Sequence, residues 1–289
     1  MKPHALHRLL SSLYNVPHLV DQQTFEFATS FLENRNNQSL MLPQEMPEAP
    51  EQEDPDCLED FDPEMGIGVL DIQGPLTYRK IMGLCGEIGC SYESLLEQTD
   101  EMIEAGAKTI IMNVDSGGGQ GYGAFECSTE IRKKCDDAGV KLYAYNDGCM
   151  ASAAYVFGCV ADVVVTNPHA ETGSVGVLIA LLDQSKYMDN IGVRPIYISA
   201  GGQKIPFNED NTFKQSFLDD LQVKVDALYE DFVSHVSNYT GLSAEAVKAT
   251  EAKTFMADEA LSLGLVNNIM TRSEFIQYVL DQHKGASNA

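Results

Sequence analysis

Basic residues are scarce in this chain. Only 19 Lys and Arg stand against 43 Asp and Glu in 289 residues, a formal net charge of −24. Neutralising phosphates takes clustered Lys and Arg, so this balance argues against nucleic acid as a direct ligand and against an anionic membrane surface. No apolar run approaches the ~18 residues of a membrane-spanning helix, and no span is expected. The N-terminus sets Lys2 and Arg8 around a short Leu-Leu segment, without a sustained apolar stretch or a small-residue cleavage site, and does not read as a secretory signal. The seven cysteines are odd in number and form no CxxC pair, which suits reduced cytosolic thiols rather than a disulfide framework. Cys85 and Cys90 are the closest pair, but no histidine lies near to complete a zinc set, so neither metal nor cofactor is expected.

What the chain does have is apolar material, 44% of its residues, enough for one large domain or two small ones. Residues 1–42 form an N-terminal extension with a weakly amphipathic stretch over 21–34, carrying Phe25, Phe27, Phe31 and Leu32. Composition then changes abruptly. Residues 43–64 hold five prolines and ten acidic residues with little to bury. Such a segment cannot offset its ordering entropy, which predicts a disordered linker over 43–65 and a folded domain over 66–289.

Inside that domain, β-branched runs predict strands over 67–72, 109–114, 140–145, 162–166, 175–179 and 196–199. Helical stretches fall between them, over 91–105, 123–137, 152–160 and 181–191. A long helix is predicted over 213–239, with Phe217, Leu221, Val225, Leu228 and Phe232 at three- to four-residue spacing. Ser243 is positioned to start a further short helix. Alternating strands and helices predict an α/β domain with much parallel pairing.

Four stretches carry chemistry. Ser116-Gly117-Gly118-Gly119 follows a predicted strand at once. It matches neither G-x-G-x-x-G nor a P-loop, since no Lys-Ser/Thr follows. The readings left are a tight strand-to-helix turn, or backbone N–H groups of Gly118 or Gly119 that pair with that of Ala153 to hold an oxyanion. Ser152, flanked by Ala151, Ala153 and Ala154, opens a helix; it is either an N-cap or a nucleophile with room for a substrate carbonyl. Ser174 lies in Thr172-Gly-Ser-Val-Gly176 and either closes an ordinary turn or orients an amine. Lys204 precedes Ile205, Pro206 and Phe207, which could supply a dry setting, while Gly201 and Gly202 let the chain bend. It reads as a solvated loop lysine or as a base. Because an ordinary lysine titrates near about 10.4, a lysine base must be desolvated to act at neutral pH, against the pull of Glu209 and Asp210. The rival base is His169, with Asp183 or Asp189 as its orienting carboxylate.

Together these stretches resemble the signal peptide peptidase A family of serine–lysine peptidases, which has the Clp protease/crotonase-like fold of repeated strand-strand-helix units. The resemblance runs over about 66–269. It joins Ser116-Gly-Gly-Gly, Ala151-Ser-Ala-Ala, Thr172-Gly-Ser-Val-Gly and Ala200-Gly-Gly-Gln-Lys, in the family's order. It implies Ser152 as nucleophile, Lys204 as general base and Ser174 as the lysine's hydrogen-bond partner. It also implies Gly118 or Gly119 with Ala153 as oxyanion donors. Gly117 stands where the family has proline, and Ala153-Ala154 where it has two glycines; both departures bear on substrate preference. Gly123-Ala-Phe-Glu, Tyr239-Thr-Gly-Leu-Ser243 and Ala257–Leu265 resemble the phage capsid-assembly proteases within that family.

That resemblance implies a phage procapsid protease in the host cytoplasm. Its substrates would be scaffold or capsid proteins, and it would act as a homo-oligomeric ring without cofactor, nucleic acid or membrane. The alternatives are a host-type peptidase degrading signal peptides or oligopeptides, an inactive capsid-assembly structural protein, and a crotonase-type acyl-CoA enzyme of the same fold.

Overall fold

The computed structural model describes residues 18–20, 61–82 and 89–287. The amphipathic stretch over 21–34 and most of the acidic segment lie outside the described residues. The strands run in chain order as β1 (His18–Val20), β2 (Phe61–Asp62), β3 (Ile67–Gln73), β4 (Leu76–Thr77), β5 (Cys90–Ser91) and β6 (Thr109–Ser116). They continue as β7 (Gly118–Gln120), β8 (Lys141–Ala151), β9 (Val163–Thr166), β10 (Glu171–Gly173), β11 (Thr254–Met256) and β12 (Asn268–Ile269). The helices are α1 (Tyr92–Glu104), α2 (Ala124–Ala138), α3 (Ala153–Gly158), α4 (Ser185–Asn190), α5 (Gln215–Thr240), α6 (Ala244–Lys248), α7 (Ala257–Ser262) and α8 (Arg272–Ser287).

The larger sheet has the order β11-β10-β8-β6-β3-β2, with β9 paired to β8 and β12 to β9. Its centre is parallel: β3 pairs with β6, and β6 with β8, over nearly their whole lengths. Parallel strands need cover on both faces, and here both have it. One face presents Ile110, Met112, Val114, Leu142 and Ala144 to the main core, which α1, α2, α3 and the C-terminal part of α5 complete. The other presents Tyr143, Tyr145 and Val165 to Phe275 and Val279 of α8. A smaller sheet, β1-β7-β4-β5, flanks the glycine loop.

Eight of the predicted elements form where expected, as the strands β3, β6, β8 and β9 and the helices α1, α2, α3 and α5. Ser91 caps α1 by accepting from the Ser94 amide, and Ser243 caps α6 by accepting from Ala246. Residues 61–62, inside the stretch expected to be a linker, pair antiparallel with β3 and bury Phe61.

Three expectations fail. The strand expected over 175–179 forms earlier, as β10, because the chain leaves extended geometry at Gly173 (φ 133) and Ser174 (φ 54). The run over 196–199 forms no strand: Ile196 and Ile198 are 86% and 98% exposed, and β-branched residues become strand only against a partner. The helix expected over 181–191 shrinks to α4, which buries nothing. The long helix α5 does form, yet Phe217, Leu221, Val225 and Leu228 stay partly exposed and only its Phe232 end reaches the core.

Candidate active site

β8 ends at Ala151, α3 begins at Ala153, and Ser152 makes the whole turn between them with φ 57 and ψ −120. A non-glycine residue at such angles costs on the order of 1–3 kcal/mol and persists only where its surroundings fix it. Here they do. The Ser152 amide donates to the Gly173 carbonyl (2.9 Å), and its own carbonyl accepts from Tyr155 (2.9 Å) and Val156 (3.1 Å). All six residues of α3 are buried, so the helix cannot shift to relax the turn. The Ser152 side chain makes no capping bond. It is completely buried, and its Oγ is one of the few buried polar atoms among the described residues without a hydrogen-bond partner. Leaving a hydroxyl so costs about 1–3 kcal/mol. A strained strand-to-helix serine with a free hydroxyl is the geometry of a nucleophile elbow.

β10 runs parallel to the end of β8, with Gly173 opposite Ala151. Ser152 and Ser174 therefore leave neighbouring strand ends in register, at the ~4.8 Å spacing of paired strands. Ser174 is 8% exposed, and its amide donates to the Lys253 carbonyl (2.8 Å). A Cβ at position 173 would sit 2.5 Å from that same carbonyl, so glycine is required where the chain closes against β11. Asn146 ties the layer together. Its buried amide donates to the Glu171 carbonyl (2.8 Å) and to the hydroxyls of Thr166 (3.2 Å) and Thr172 (3.0 Å).

The glycine loop joins the same edge. Ser116, the last residue of β6, lies opposite Met150; its Oγ donates to the Gly74 carbonyl (2.6 Å) and accepts from the Gly118 amide (3.1 Å). Of the two candidate glycine donors, Gly118 is thus already engaged. Gly119 lies opposite Leu76 of β4, so close that a Cβ there would stand 1.9 Å from the Leu76 carbonyl. Ala153, as the first residue of α3, has no intrahelical acceptor for its amide. The loop forms strand β7 against β4 instead of turning directly into a helix. Periodicity gives no signal for a strand of two glycines and a glutamine.

Lys204 is not joined to this cluster. It lies in a turn over 201–204, where its amide donates to Gly201 (3.1 Å), and its side chain is exposed. The Ser152 hydroxyl has no partner, so the Lys204 amine does not reach it within this single chain. The rival His169 is exposed; Asp183 accepts from the Ser185 amide, and Asp183 and Asp189 are exposed too. Among the described residues no Ser-His-Asp triad forms at Ser152.

Sequence reasoning missed His235. It is buried on α5, its Nε2–H donating to the Val156 carbonyl of α3 (3.0 Å). Burial holds its imidazole below the usual histidine range, partly opposed by that bond. Only its place among apolar residues of a long helix could have marked it. Three thiols near the core are inert as nucleophiles: burial pushes Cys127 up to about 12, Cys135 up to about 11 and Cys159 higher still.

Comparison with known proteins follows the same lines. The chain is 27% identical over 219 residues to "Head-tail preconnector protein GP5" of Enterobacteria phage P21, covering 73% of this chain and 42% of that one. It is 28% identical over 221 residues to "Capsid assembly protease C" of Escherichia phage lambda, covering 75% and 49%. A "Probable protease SohB" of Haemophilus influenzae is 29% identical over 205 residues, covering 68% and 56%. The chain thus spans about half the length of these relatives. Among solved structures it is similar to ClpP1 of Listeria monocytogenes, with TM-score 0.46 and 14% identity over 73% of this chain and 95% of that one. The ClpP catalytic domain of Plasmodium falciparum gives TM-score 0.43 and 11% identity, over 70% and 84%. The description Peptidase family S49 matches residues 134–286, more than half of the chain, a span that contains Ser152, Ser174 and Lys204. The chain belongs to peptidase family S49.

Proposed function

We propose that this protein is a serine endopeptidase of phage head assembly, cleaving scaffold or capsid-protein segments inside the procapsid in the host. The observation that carries the reading is the buried, unpartnered Ser152 hydroxyl on a strained elbow, since strain and an unmet hydroxyl persist together where chemistry needs them. The match to two phage head proteins supports the setting.

Ser152 Oγ attacks the peptide carbonyl, while the neutral amine of Lys204 takes its proton and passes it to the leaving amine. Water activated by the same lysine then hydrolyses the acyl-enzyme. The Ala153 amide, with Gly118 or Gly119, receives the oxyanion, Gly118 by exchanging its bond to Ser116 for one to substrate. Ser174, on the neighbouring strand end, holds the amine.

Lys204 reaches this position in an assembled form. It sits in an arm whose Leu182, Tyr187, Ile191, Ile196 and Ile198 are exposed, a display of apolar side chains that suits cover by a second copy. Cover would dry the lysine, and a dry amine is the one that loses its proton.

Two experiments test the reading. Scaffold and capsid proteins coexpressed with wild-type or Ser152→Ala protein are compared by mass spectrometry; identical processing eliminates the protease. Mixing Ser152→Ala with Lys204→Ala subunits asks where the base comes from. Restored cleavage means that one copy serves another's serine, while two dead partners staying dead places both groups in one chain.

A further inference from the structure

The smaller sheet holds an occupant that no local pattern marks. Residues 18–20, far upstream in the N-terminal extension, form β1 and lie antiparallel on β7, with His18 opposite Gln120, Leu19 opposite Gly119 and Val20 opposite Gly118. β7 is no neutral edge. It carries both candidate oxyanion glycines and packs against α3, the helix that Ser152 opens. Its other side is taken by β4, with Leu76 opposite Gly119, so β1 covers the one edge of β7 that a further strand could use.

An open strand edge presents a row of unpaired N–H and C=O groups and recruits an extended chain. On β7 such recruitment is read by backbone alone at two of three positions, because Gly118 and Gly119 have no side chain. At Gly119 none could be accommodated, with the Leu76 carbonyl 1.9 Å from where a Cβ would stand. An edge of this kind accepts extended peptide with little regard to sequence. The direction of β1 is also informative. Val20, its C-terminal residue, lies opposite Gly118, the end of β7 nearer to Ser116 and the elbow.

We infer that the outer edge of β7 is where an extended peptide binds for cleavage, and that the chain's own residues 18–20 occupy it, so the enzyme is made self-occupied and begins work on other chains once this strand is displaced or cut away. The inference rests on the reading of Ser152 as nucleophile. Nothing covalent is needed for the block itself, only the strand pairing.

The test uses the full-length protein. Adjacent amides on a strand point to opposite sides, so Leu19→Pro together with Val20→Pro removes whichever N–H faces β7, and proline in addition cannot continue a ladder. Two quantities are followed: backbone hydrogen exchange at residues 118–120, and the rate at which an activated phosphonate labels Ser152. Exchange at 118–120 is expected to rise in the double variant. Labelling is expected to quicken about tenfold, as if the open state grew from about a tenth of the molecules to nearly all. A synthetic peptide of residues 14–24 added to the double variant should restore both values, which also shows that the variant is folded.

Unchanged exchange overturns the inference, because β1 is then not on β7. Raised exchange with unchanged labelling overturns it too, because the strand then blocks nothing. Raised exchange that the peptide reverses, with no labelling of either protein, keeps the strand on its edge while sinking Ser152 as nucleophile and the self-occupied enzyme with it.

Discussion

Two regions of this chain carry the groups assigned to one reaction, and they are built by opposite rules. At the carboxyl ends of β8 and β10, Ser152 and Ser174 are buried, strained and tied by backbone bonds to strands on either side. The stretch from 178 to the middle of α5 holds Lys204 in a turn, with isoleucines in solvent and a helix whose apolar stripe stays partly exposed over its N-terminal half. The first region is packed within one chain; the second leaves apolar side chains exposed. A shallow apolar cavity of about 590 Å³ sits in that second region, lined by Leu182, Phe207, Phe213, Phe217 and Leu221, with Phe213 stacked on Phe217. On the reading proposed above, the nucleophile is pre-organised by folding and the base is left to assembly.

The sharpest way to break this contrast is by stability. Phe157→Ala, in the buried helix behind Ser152, is expected to cost about 3–5 kcal/mol, whereas Ile198→Ala should fall within about 0.5 kcal/mol. Chemical denaturation of the monomer measures both, and a large loss at Ile198 would mean the arm is already packed. Next in size is the elbow itself. Ser152→Ala removes an unmet buried hydroxyl, so it should stabilise the fold by about 1 kcal/mol while ending hydrolysis. Lys204→Ala should leave the melting temperature unchanged while also ending it, and a destabilised Lys204→Ala protein would contradict its exposed position.

The smallest effect comes from His235. Its folded pKa lies below the ordinary 6.5, so the neutral ring supports the fold fully above that value. As pH drops from about 6.5 toward the lowered folded value, the unfolded chain takes up a proton that the folded one refuses, and stability falls. His235→Gln should flatten this slope in denaturation midpoints measured at successive pH values, and an unchanged slope would assign the effect to other groups.

The legible parts of the sequence were those where local pattern and burial agree. Thr109–Ser116 and Lys141–Ala151 are apolar runs in the middle of a doubly covered sheet, and the helices between them bury their apolar faces. Ser243 caps its helix as its neighbours imply. The run over 196–199 misled because β-branched residues state a preference that only a pairing partner can realise. β7 and β10 were invisible for the converse reason. Three-residue strands made largely of glycine, threonine and glutamine have no periodicity, and their place is set by register with neighbours far along the chain. At the site, residue types and spacing marked Ser152 and Ser174 as candidates with two readings each, and the family resemblance chose between them. Local sequence left Lys204 between a solvated loop lysine and a desolvated base, because that choice depends on what surrounds the folded chain.

The anchor of the elbow has a consequence in time. Ser152 hands its amide to the Gly173 carbonyl, the next amide along, that of Ser174, donates to the carbonyl of Lys253, and Lys253 leads directly into β11. A growing polypeptide that has emerged only as far as residue 250 possesses the serine, its helix and the central strands, yet not the outermost strand that locks the turn. The turn at Ser152 is therefore locked only once a strand far downstream in the chain has joined the edge of the sheet.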